Sequence, residues 1–208
     1  MIATMAELSA ALLNVQACRA AEVRCELSPE LSARTSDAAL AESFVTELPM
    51  VQGVRQRIVR SRGRGAVIMA RLRYRDGVRM LEGDTLTQEE AAALEMARSI
   101  AAGFRPLDEA ECFRHVYTWV CQHIVYNHTA PGQKGYERLV GASGALMDRQ
   151  ANCQGFADVV YLLCGLCGIE CEYRCGRGNR QLHVWNAVRV NGEWRDVDAS
   201  KGARNITD

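Results

Sequence analysis

The sequence contains no apolar run of about 18 residues, the minimum for a membrane-spanning helix, so no membrane span is predicted. It also lacks an excess of charge of either sign, because 25 basic side chains balance 25 acidic ones. Nucleic acids and anionic membrane surfaces usually select a clear positive excess. A basic stretch occurs at 55–64, but it has no aromatic side chains to stack on bases, and we interpret it as a solvated face or strand edge. No nucleic-acid partner is expected.

The N-terminus lacks the basic region and cleavage pattern of a signal peptide. The nine cysteines are an odd and high number, and their spacing does not resemble a disulfide framework, which indicates a reducing compartment. We therefore expect a cytoplasmic protein, or an exported one if the natural chain carries a leader ahead of this sequence. The sequence does not indicate an oligomeric state.

A chain of 208 residues with 48% hydrophobic content can form one domain, or a core with a smaller appendage. We predict N-terminal helices and a β-hairpin, of unknown role, at 1–84, and a core at 85–208. The hydrophobic pattern favours helices at 1–35 and 36–47.

The predicted β-hairpin of the N-terminal region lies at its C-terminal end. Residues 66–75 alternate between two faces, Asp76-Gly77 is typical of a hairpin turn, and Val78–Leu81 would form the returning strand.

The predicted core begins with helices. Thr87 and Glu90 form a capping box at the start of a helix that ends near Ala102, and a second helix is predicted over Glu109–His123. A long glycine-rich loop is predicted at 127–150. Loops of this length beside a functional site commonly shape access or substrate choice.

Cys153 is predicted to lie in the first turn of a helix. Asn152 is a good N-cap residue, and Gly168 is a natural stop. The apolar face of this helix would contain Phe156, Val160, Leu163 and Cys167. Unpaired N–H groups and the positive end of the helix dipole favour a thiolate at such a position.

A β-hairpin is predicted to bring His183 and Asp198 together. Residues 183–190 and 193–198 are joined by Asn191-Gly192, the strongest short hairpin signal. The pairs would be Val190 with Glu193, Ala187 with Asp196, Trp185 with Asp198, and His183 with Ser200. His183 is then diagonal to Asp198, about 7–8 Å away at Cα, and Asp196 lies further along the strand. The register therefore selects Asp198 over Asp196. The preceding residues 176–180 are predicted to be a loop, not a phosphate site, because no helix follows them.

The motifs Asn-Cys-Gln-Gly-Phe-Ala, His-Val-Trp-Asn-Ala-Val and Val-Asp, in this order, resemble the bacterial transglutaminase-like superfamily over residues 108–200. The resemblance implies an α+β fold with a papain-like core, in which the nucleophile lies at a helix N-terminus packed on an antiparallel sheet. It also implies that Cys153, His183 and Asp198 are the catalytic residues. The sequence departs from many relatives at Ser143, where an aromatic residue is common.

These residues predict a cysteine peptidase or amidase that acts on a peptide or protein substrate through a thioester, without a cofactor or metal. The backbone N–H of Cys153 would meet the oxyanion, together with a second donor that the sequence does not identify. Gln154 is a candidate, although its side chain could point away, and Tyr136 is a candidate for the acyl pocket. Trp185 would shield the imidazole–carboxylate pair from water or serve packing alone.

Three alternatives stay open. A protein-glutamine transglutaminase would use the same residues with an amine acceptor, and a binding or scaffold module could keep the fold without activity. A thiol redox or zinc protein could use the cysteine cluster at Cys164, Cys167, Cys171 and Cys175. We favour ordinary core thiols for this cluster, because Cys164 and Cys167 lie within the apolar helix that carries Cys153.

Overall fold

A computed structural model describes residues 1–178 and 181–204. The chain divides into two compact units, Met1–Tyr74 and Arg75–Asp208. The boundary predicted between residues 84 and 85 lies inside the second unit, because Asp76–Glu82 forms a helix that packs on the helix carrying Cys153.

The first unit combines three helices with a three-stranded antiparallel sheet of order β1-β3-β2. Within 1–35, the predicted helical structure is confirmed at 5–17 and 29–34 but is wrong at 22–27, which alternate exposed and buried side chains and form an edge strand paired with β3. The helix predicted at 36–47 is confirmed, with Ser36 as its N-cap. The elements are α1 (Met5–Ala17), β1 (Glu22–Leu27), α2 (Pro29–Arg34), α3 (Asp37–Glu47), β2 (Val51–Ser61) and β3 (Gly65–Tyr74).

The hairpin predicted around Asp76-Gly77 is also wrong. The strand at 65–74 pairs with the strand that precedes it, through a turn at 62–64, and Val78–Leu81 is helical. Gly77 donates its N–H to the buried carboxylate of Asp158 at 3.2 Å, so the Asp-Gly pair starts a helix here instead of a turn.

The second unit packs helices and a small sheet around one central helix, α9. Its elements are α4 (Asp76–Glu82), α5 (Gln88–Ala102), α6 (Glu109–His123), β4 (Val125–Tyr126), α7 (Tyr136–Leu139), α8 (Ala142–Asp148), β5 (Gln150–Ala151), α9 (Cys153–Cys167), β6 (Cys171–Gly178), β7 (Gln181–Val190), β8 (Glu193–Val197) and α10 (Ala199–Arg204). Helices α4, α5, α6, α8 and α10 pack around α9, and the antiparallel sheet β6-β7-β8 packs on it as well. This arrangement agrees with the predicted α+β fold.

Local capping signals placed helices α5, α6 and α9 correctly. The Thr87–Glu90 capping box is present at the start of α5, and α6 has the predicted bounds. Phe156, Val160 and Leu163 of α9 are fully buried in the core, whereas Cys167 is only partly buried. The core therefore fixes the orientation of α9, and with it the direction in which its first turn points.

The segment predicted as a continuous loop at 127–150 contains two short helices. Helix α8 is held by a buried hydrogen bond, in which the backbone N–H of Ala142 donates to the carboxylate of Asp158 at 2.7 Å. The predicted loop at 176–180 is likewise corrected in part, because 176–178 continue strand β6, while Asn179 and Arg180 lie outside the described residues. None of the helices within the described residues is long and apolar enough to cross a membrane.

Candidate active site

Cys153 occupies the first position of α9. Asn152 caps this helix, and its side-chain oxygen accepts hydrogen bonds from the N–H groups of Gln154 at 2.9 Å and Gly155 at 3.4 Å. Gly155 is required by packing, because a Cβ there would lie 2.3 Å from the carbonyl oxygen of Leu139. The cap and this close approach hold the thiol at a helix end, where backbone N–H groups have no intrahelical acceptor.

His183 of β7 contacts Asp198, which immediately follows β8. Nε2 of His183 lies 2.7 Å from Oδ2 of Asp198. The ladder contains the predicted pairs of Val190 with Glu193 and Ala187 with Asp196, but it ends at the pair of Asn186 with Val197. The predicted pairs that involve Asp198 and Ser200 are therefore not formed, because the chain leaves the sheet to begin α10.

The start of α10 holds Asp198 in place. Its Oδ1 accepts hydrogen bonds from the N–H of Ser200 at 3.1 Å and from the hydroxyl of Ser200 at 2.6 Å. The ammonium group of Lys201 lies 3.3 Å from Oδ2. One carboxylate oxygen is thus engaged by the helix N-terminus, and the other faces the imidazole.

The three side chains shift one another's ionisation. Burial raises the pKa of the Cys153 thiol, but contacts with the His183 imidazole and with the N–H groups of Val184 and Gln154 outweigh it, so this pKa lies below its ordinary value. Hydrogen bonds with Asp198 and Cys153 raise the pKa of His183 to about 9. Burial opposes ionisation of Asp198, yet contacts with His183, Ser200 and Lys201 hold the pKa of its carboxyl well below the usual range. Cys153 and His183 thus favour each other's charged form, the thiolate and the imidazolium.

A cleft of about 520 Å³ opens beside Cys153. Its lining residues are side chains of β4 and the following loop, together with Tyr136, Asn152, Gln154 and Leu182. The side chain of Gln154 therefore faces the cleft, and its Nε2 donates to the hydroxyl of Tyr136 at 3.2 Å. Two of the three residues that we predicted as supporting or substrate-lining, Gln154 and Tyr136, lie at this cleft, whereas Trp185 is not among its lining residues.

Trp185 lies beside His183 on the same strand. The two rings stack with centroids 5.9 Å apart and an interplanar angle of 19°. The indole Nε1 of Trp185 donates to Asp196 at 3.2 Å. Asp196 therefore has its own partner and does not compete with Asp198 for the imidazole.

A buried polar network behind the cleft did not emerge from the sequence. Arg75, only 2% exposed, places its guanidinium over the ring of Tyr173 at 5.1 Å and lies 3.5 Å from Oε1 of Gln154 through Nη1. Asp76 accepts hydrogen bonds from the backbone N–H and the hydroxyl of Ser143. Ser143, the position that departs from many relatives, thus has a polar partner from α4.

Asp158 is the centre of this network. It is fully buried and accepts hydrogen bonds from Gly77, Ala142 and the hydroxyl of Tyr173. One sequence signal could have revealed it, because Asp158 is the only acidic or basic residue in the apolar helix α9.

The cysteine cluster near the end of α9 shows paired thiols. A hydrogen bond with Cys171 and burial raise the pKa of Cys164 well above its ordinary value, and burial with a hydrogen bond to Cys112 raises the pKa of Cys167 to about 12. A raised pKa disfavours the thiolate that a metal would need. Within residues 1–178 and 181–204, no group of three or more His, Cys, Asp or Glu side chains is arranged to hold a metal ion.

Comparison with known proteins gives relatives of part of the chain. Kyphoscoliosis peptidase from Homo sapiens is 28% identical over 107 residues, and the mouse protein of the same name is 27% identical over the same length. The match covers 46% of this chain but only 16% of the human protein.

Solved structures give weaker likenesses. A crystal structure described as that of a TGase covers 71% of this chain and 45% of its own, with a TM-score of 0.48 and 13% identity. The periplasmic domain of TgpA from Pseudomonas aeruginosa covers 70% of this chain and 57% of its own, with a TM-score of 0.44 and 14% identity.

The family is decided by sequence. The model of the transglutaminase-like superfamily matches residues 91–199, more than half of the chain, and this segment contains the capped helix, the cleft, and all three of Cys153, His183 and Asp198. The chain therefore belongs to the transglutaminase-like superfamily.

Proposed function

We propose that this protein is a cysteine-dependent enzyme that cleaves amide bonds of a peptide or protein through a thioester intermediate. Cys153 would be the nucleophile and His183 the general base and general acid. Asp198 would orient the imidazole and stabilise its protonated form. The observation that carries this proposal is the 2.7 Å contact between His183 Nε2 and Asp198, on a hairpin that also places His183 against the thiol at the start of α9.

The proposed proton transfer uses the two imidazole nitrogens of His183 in different roles. Asp198 engages Nε2, which leaves Nδ1 for the thiol proton. In the resting state, the contact between the two side chains favours the thiolate of Cys153 and the imidazolium of His183. The sulfur attacks the amide carbonyl carbon, the C–N bond breaks, and the departing amine takes the proton from His183.

The second half of the reaction restores the enzyme. The neutral His183 removes a proton from water, the hydroxide attacks the thioester carbonyl, and the C–S bond breaks to release the acid and the thiolate. An amine in place of water would give transamidation by the same steps. Hydrolysis is favoured because the matched human and mouse relatives are named peptidases.

The cleft supports a neutral substrate segment at the reacting carbonyl. Its described lining contains no Asp, Glu, Lys or Arg side chain and includes Pro131, Tyr136 and Leu182. Charged side chains next to the scissile bond would lose hydration without gaining a partner there.

The decisive measurement is the rate of iodoacetamide labelling against pH, followed thiol by thiol in the native protein. We expect Cys153 to react fastest from well below pH 8, because its pKa is lowered, and to lose this advantage in His183→Ala. The other cysteines are internal controls. If Cys153 reacts no faster than the exposed Cys18, the thiolate–imidazolium pair does not exist, and the binding or scaffold alternative replaces the enzyme.

A second assay distinguishes water from an amine as the acyl acceptor. Release of new amino termini from a casein digest would support hydrolysis, and incorporation of a biotinylated alkylamine into casein would support transamidation. Cys153→Ala should abolish either activity without loss of the fold, and Cys18→Ala, the same change at an exposed thiol of the first unit, should retain it.

A further inference from the structure

The hydroxyl of Tyr136 accepts a hydrogen bond beside the candidate nucleophile, since Gln154 Nε2 donates to it at 3.2 Å. Tyr136, Gln154 and Cys153 line the same cleft.

The hydrogen bond from Gln154 limits where the phenolic proton can point. The amide nitrogen of Gln154 only donates, so the Tyr136 O–H finds no acceptor there and must point elsewhere. The cleft that Tyr136 shares with Cys153 is open to it. Burial and the neighbouring charge of Cys153 raise the pKa of Tyr136, so the hydroxyl keeps its proton in the working pH range.

Arg75 fixes the orientation of the Gln154 amide. A guanidinium can only donate, so the Gln154 atom that faces its Nη1 at 3.5 Å is the oxygen, and the amide nitrogen is turned to Tyr136. Arg75 is itself held, since it is 2% exposed and its guanidinium lies over the Tyr173 ring. A buried side chain of the α4 segment thereby acts on the cleft.

We propose that the Tyr136 O–H is the second hydrogen-bond donor to the oxyanion, together with the backbone N–H of Cys153, and that Arg75 and Gln154 are positioning residues for that hydroxyl. This inference rests on the proposed function. As the Cys153 sulfur bonds to the carbonyl carbon, the carbonyl π electrons move to the oxygen, which the two donors stabilise. When the tetrahedral intermediate collapses, the carbonyl re-forms and the bond to the leaving group breaks.

Two reagents separate the oxyanion from the thiolate. Acylation by p-nitrophenyl acetate passes through an oxyanion and releases p-nitrophenolate, whereas alkylation by iodoacetamide displaces iodide without one. We expect Tyr136→Phe to slow the acylation of Cys153 about 100-fold, the order found when one oxyanion donor is removed. The rate of iodoacetamide alkylation should change by less than about twofold, because the thiolate is untouched. Tyr161→Phe removes a phenol outside the cleft and is the matched control for both rates.

A double variant tests whether Gln154 acts through the hydroxyl of Tyr136. Gln154→Ala should slow acylation less than Tyr136→Phe does, and adding Gln154→Ala to Tyr136→Phe should have no further effect, because Gln154 acts through the missing hydroxyl. If Gln154→Ala acted through a structural defect, its loss of acylation would instead add to that of Tyr136→Phe.

Arg75→Met should slow acylation as Gln154→Ala does, with recovery in Arg75→Lys, which still donates to the amide oxygen of Gln154. Urea unfolding of each variant would identify one that fails to fold, and the Gln154 and double variants would then carry the test.

Two results overturn the inference without touching the proposed function: equal acylation rates in the wild type and Tyr136→Phe, or an equal loss of acylation and alkylation. Slow alkylation of Cys153 in the wild type would overturn the proposed function itself, and the inference with it.

Discussion

At the scale of single residues, Asp198 links the imidazole to the main chain. One of its oxygens contacts His183 and the other accepts hydrogen bonds from Ser200, so the carboxylate cannot rotate without breaking the start of α10. Its charge also stabilises the imidazolium, which in turn stabilises the thiolate of Cys153. The ionic state of the thiol therefore depends on a carboxylate that we do not expect to touch the substrate.

Asp198→Asn tests this dependence. The loss of charge should lower the pKa of His183 from about 9 and raise that of Cys153, so alkylation at pH 7 should slow by about tenfold or more.

The pH dependence of the free energy of unfolding follows from the same pKa shift of His183. Because folding raises the pKa of His183, the pair stabilises the fold fully below the ordinary histidine pKa of 6.5, and this contribution is lost as the pH rises through about 9.

Asp196→Asn is the matched control, because Asp196 accepts the Trp185 indole N–H and an asparagine oxygen can do the same. Its alkylation profile against pH should overlay that of the wild type. A similar loss in both variants would contradict the assignment of Asp198 as the partner of His183.

At the scale of elements, one carboxylate joins four of them. Asp158 of α9 receives the first-turn N–H groups of α4 and α8 and the hydroxyl of Tyr173 on β6. Burial, and then the charge of Asp76, raise the pKa of Asp158 to about 6, with Arg75 opposing them, so the carboxylate is ionised at neutral pH. Because α4 carries Arg75 at its N-cap and α8 follows α7 with Tyr136, this junction also sets the geometry behind the cleft.

Asp158→Ala should destabilise the second unit by about 3 kcal/mol or more, because it leaves buried donors of two helices and a tyrosine without an acceptor. Asp148→Ala removes a carboxylate that pairs with Arg138 at the surface, and its cost should stay below about 1 kcal/mol. Urea unfolding at pH 7 measures both. Equal destabilisation would mean that the buried junction contributes no more than a surface ion pair.

At the scale of the whole molecule, nine thiols report on both units. Burial protects Cys25 in the first unit and Cys112, Cys121 and Cys164 in the second, whereas Cys18 is exposed. Cys153 is 9% exposed, yet it lies at the cleft and has a lowered pKa, so exposure and reactivity should diverge at this one residue.

A brief pulse of N-ethylmaleimide at pH 7, read by peptide mass spectrometry, should label Cys153 first and Cys18 second. The four buried thiols should react only after addition of denaturant, since a buried thiol is both shielded and harder to ionise. Rapid labelling of Cys25 alongside Cys18 would contradict the packing of the first unit.

Short-range sequence signals determined much of this protein. Asn152 before Cys153 indicated a helix start, and Asn191-Gly192 indicated the hairpin; both hold because a cap and a tight turn need only a few neighbouring residues. The turn register also selected Asp198 over Asp196, although the strand ends before Asp198 is reached. The sequence alone therefore indicated the order of the thiol, the imidazole and the carboxylate along the chain.

The tertiary structure decided what depends on partners distant in sequence. Asp76-Gly77 has the composition of a hairpin turn but begins a helix, because the N–H of Gly77 donates to a carboxylate 81 residues away, and local propensity is weaker than a buried charged acceptor. In the same way, no pattern in the sequence links Arg75 with Gln154, or Gln154 with Tyr136. Only the packing of α4, α7 and α9 brings Gln154 and Tyr136 to one cleft and Arg75 against Gln154, because a hydrogen bond between side chains requires proximity in space and leaves no periodicity in the chain.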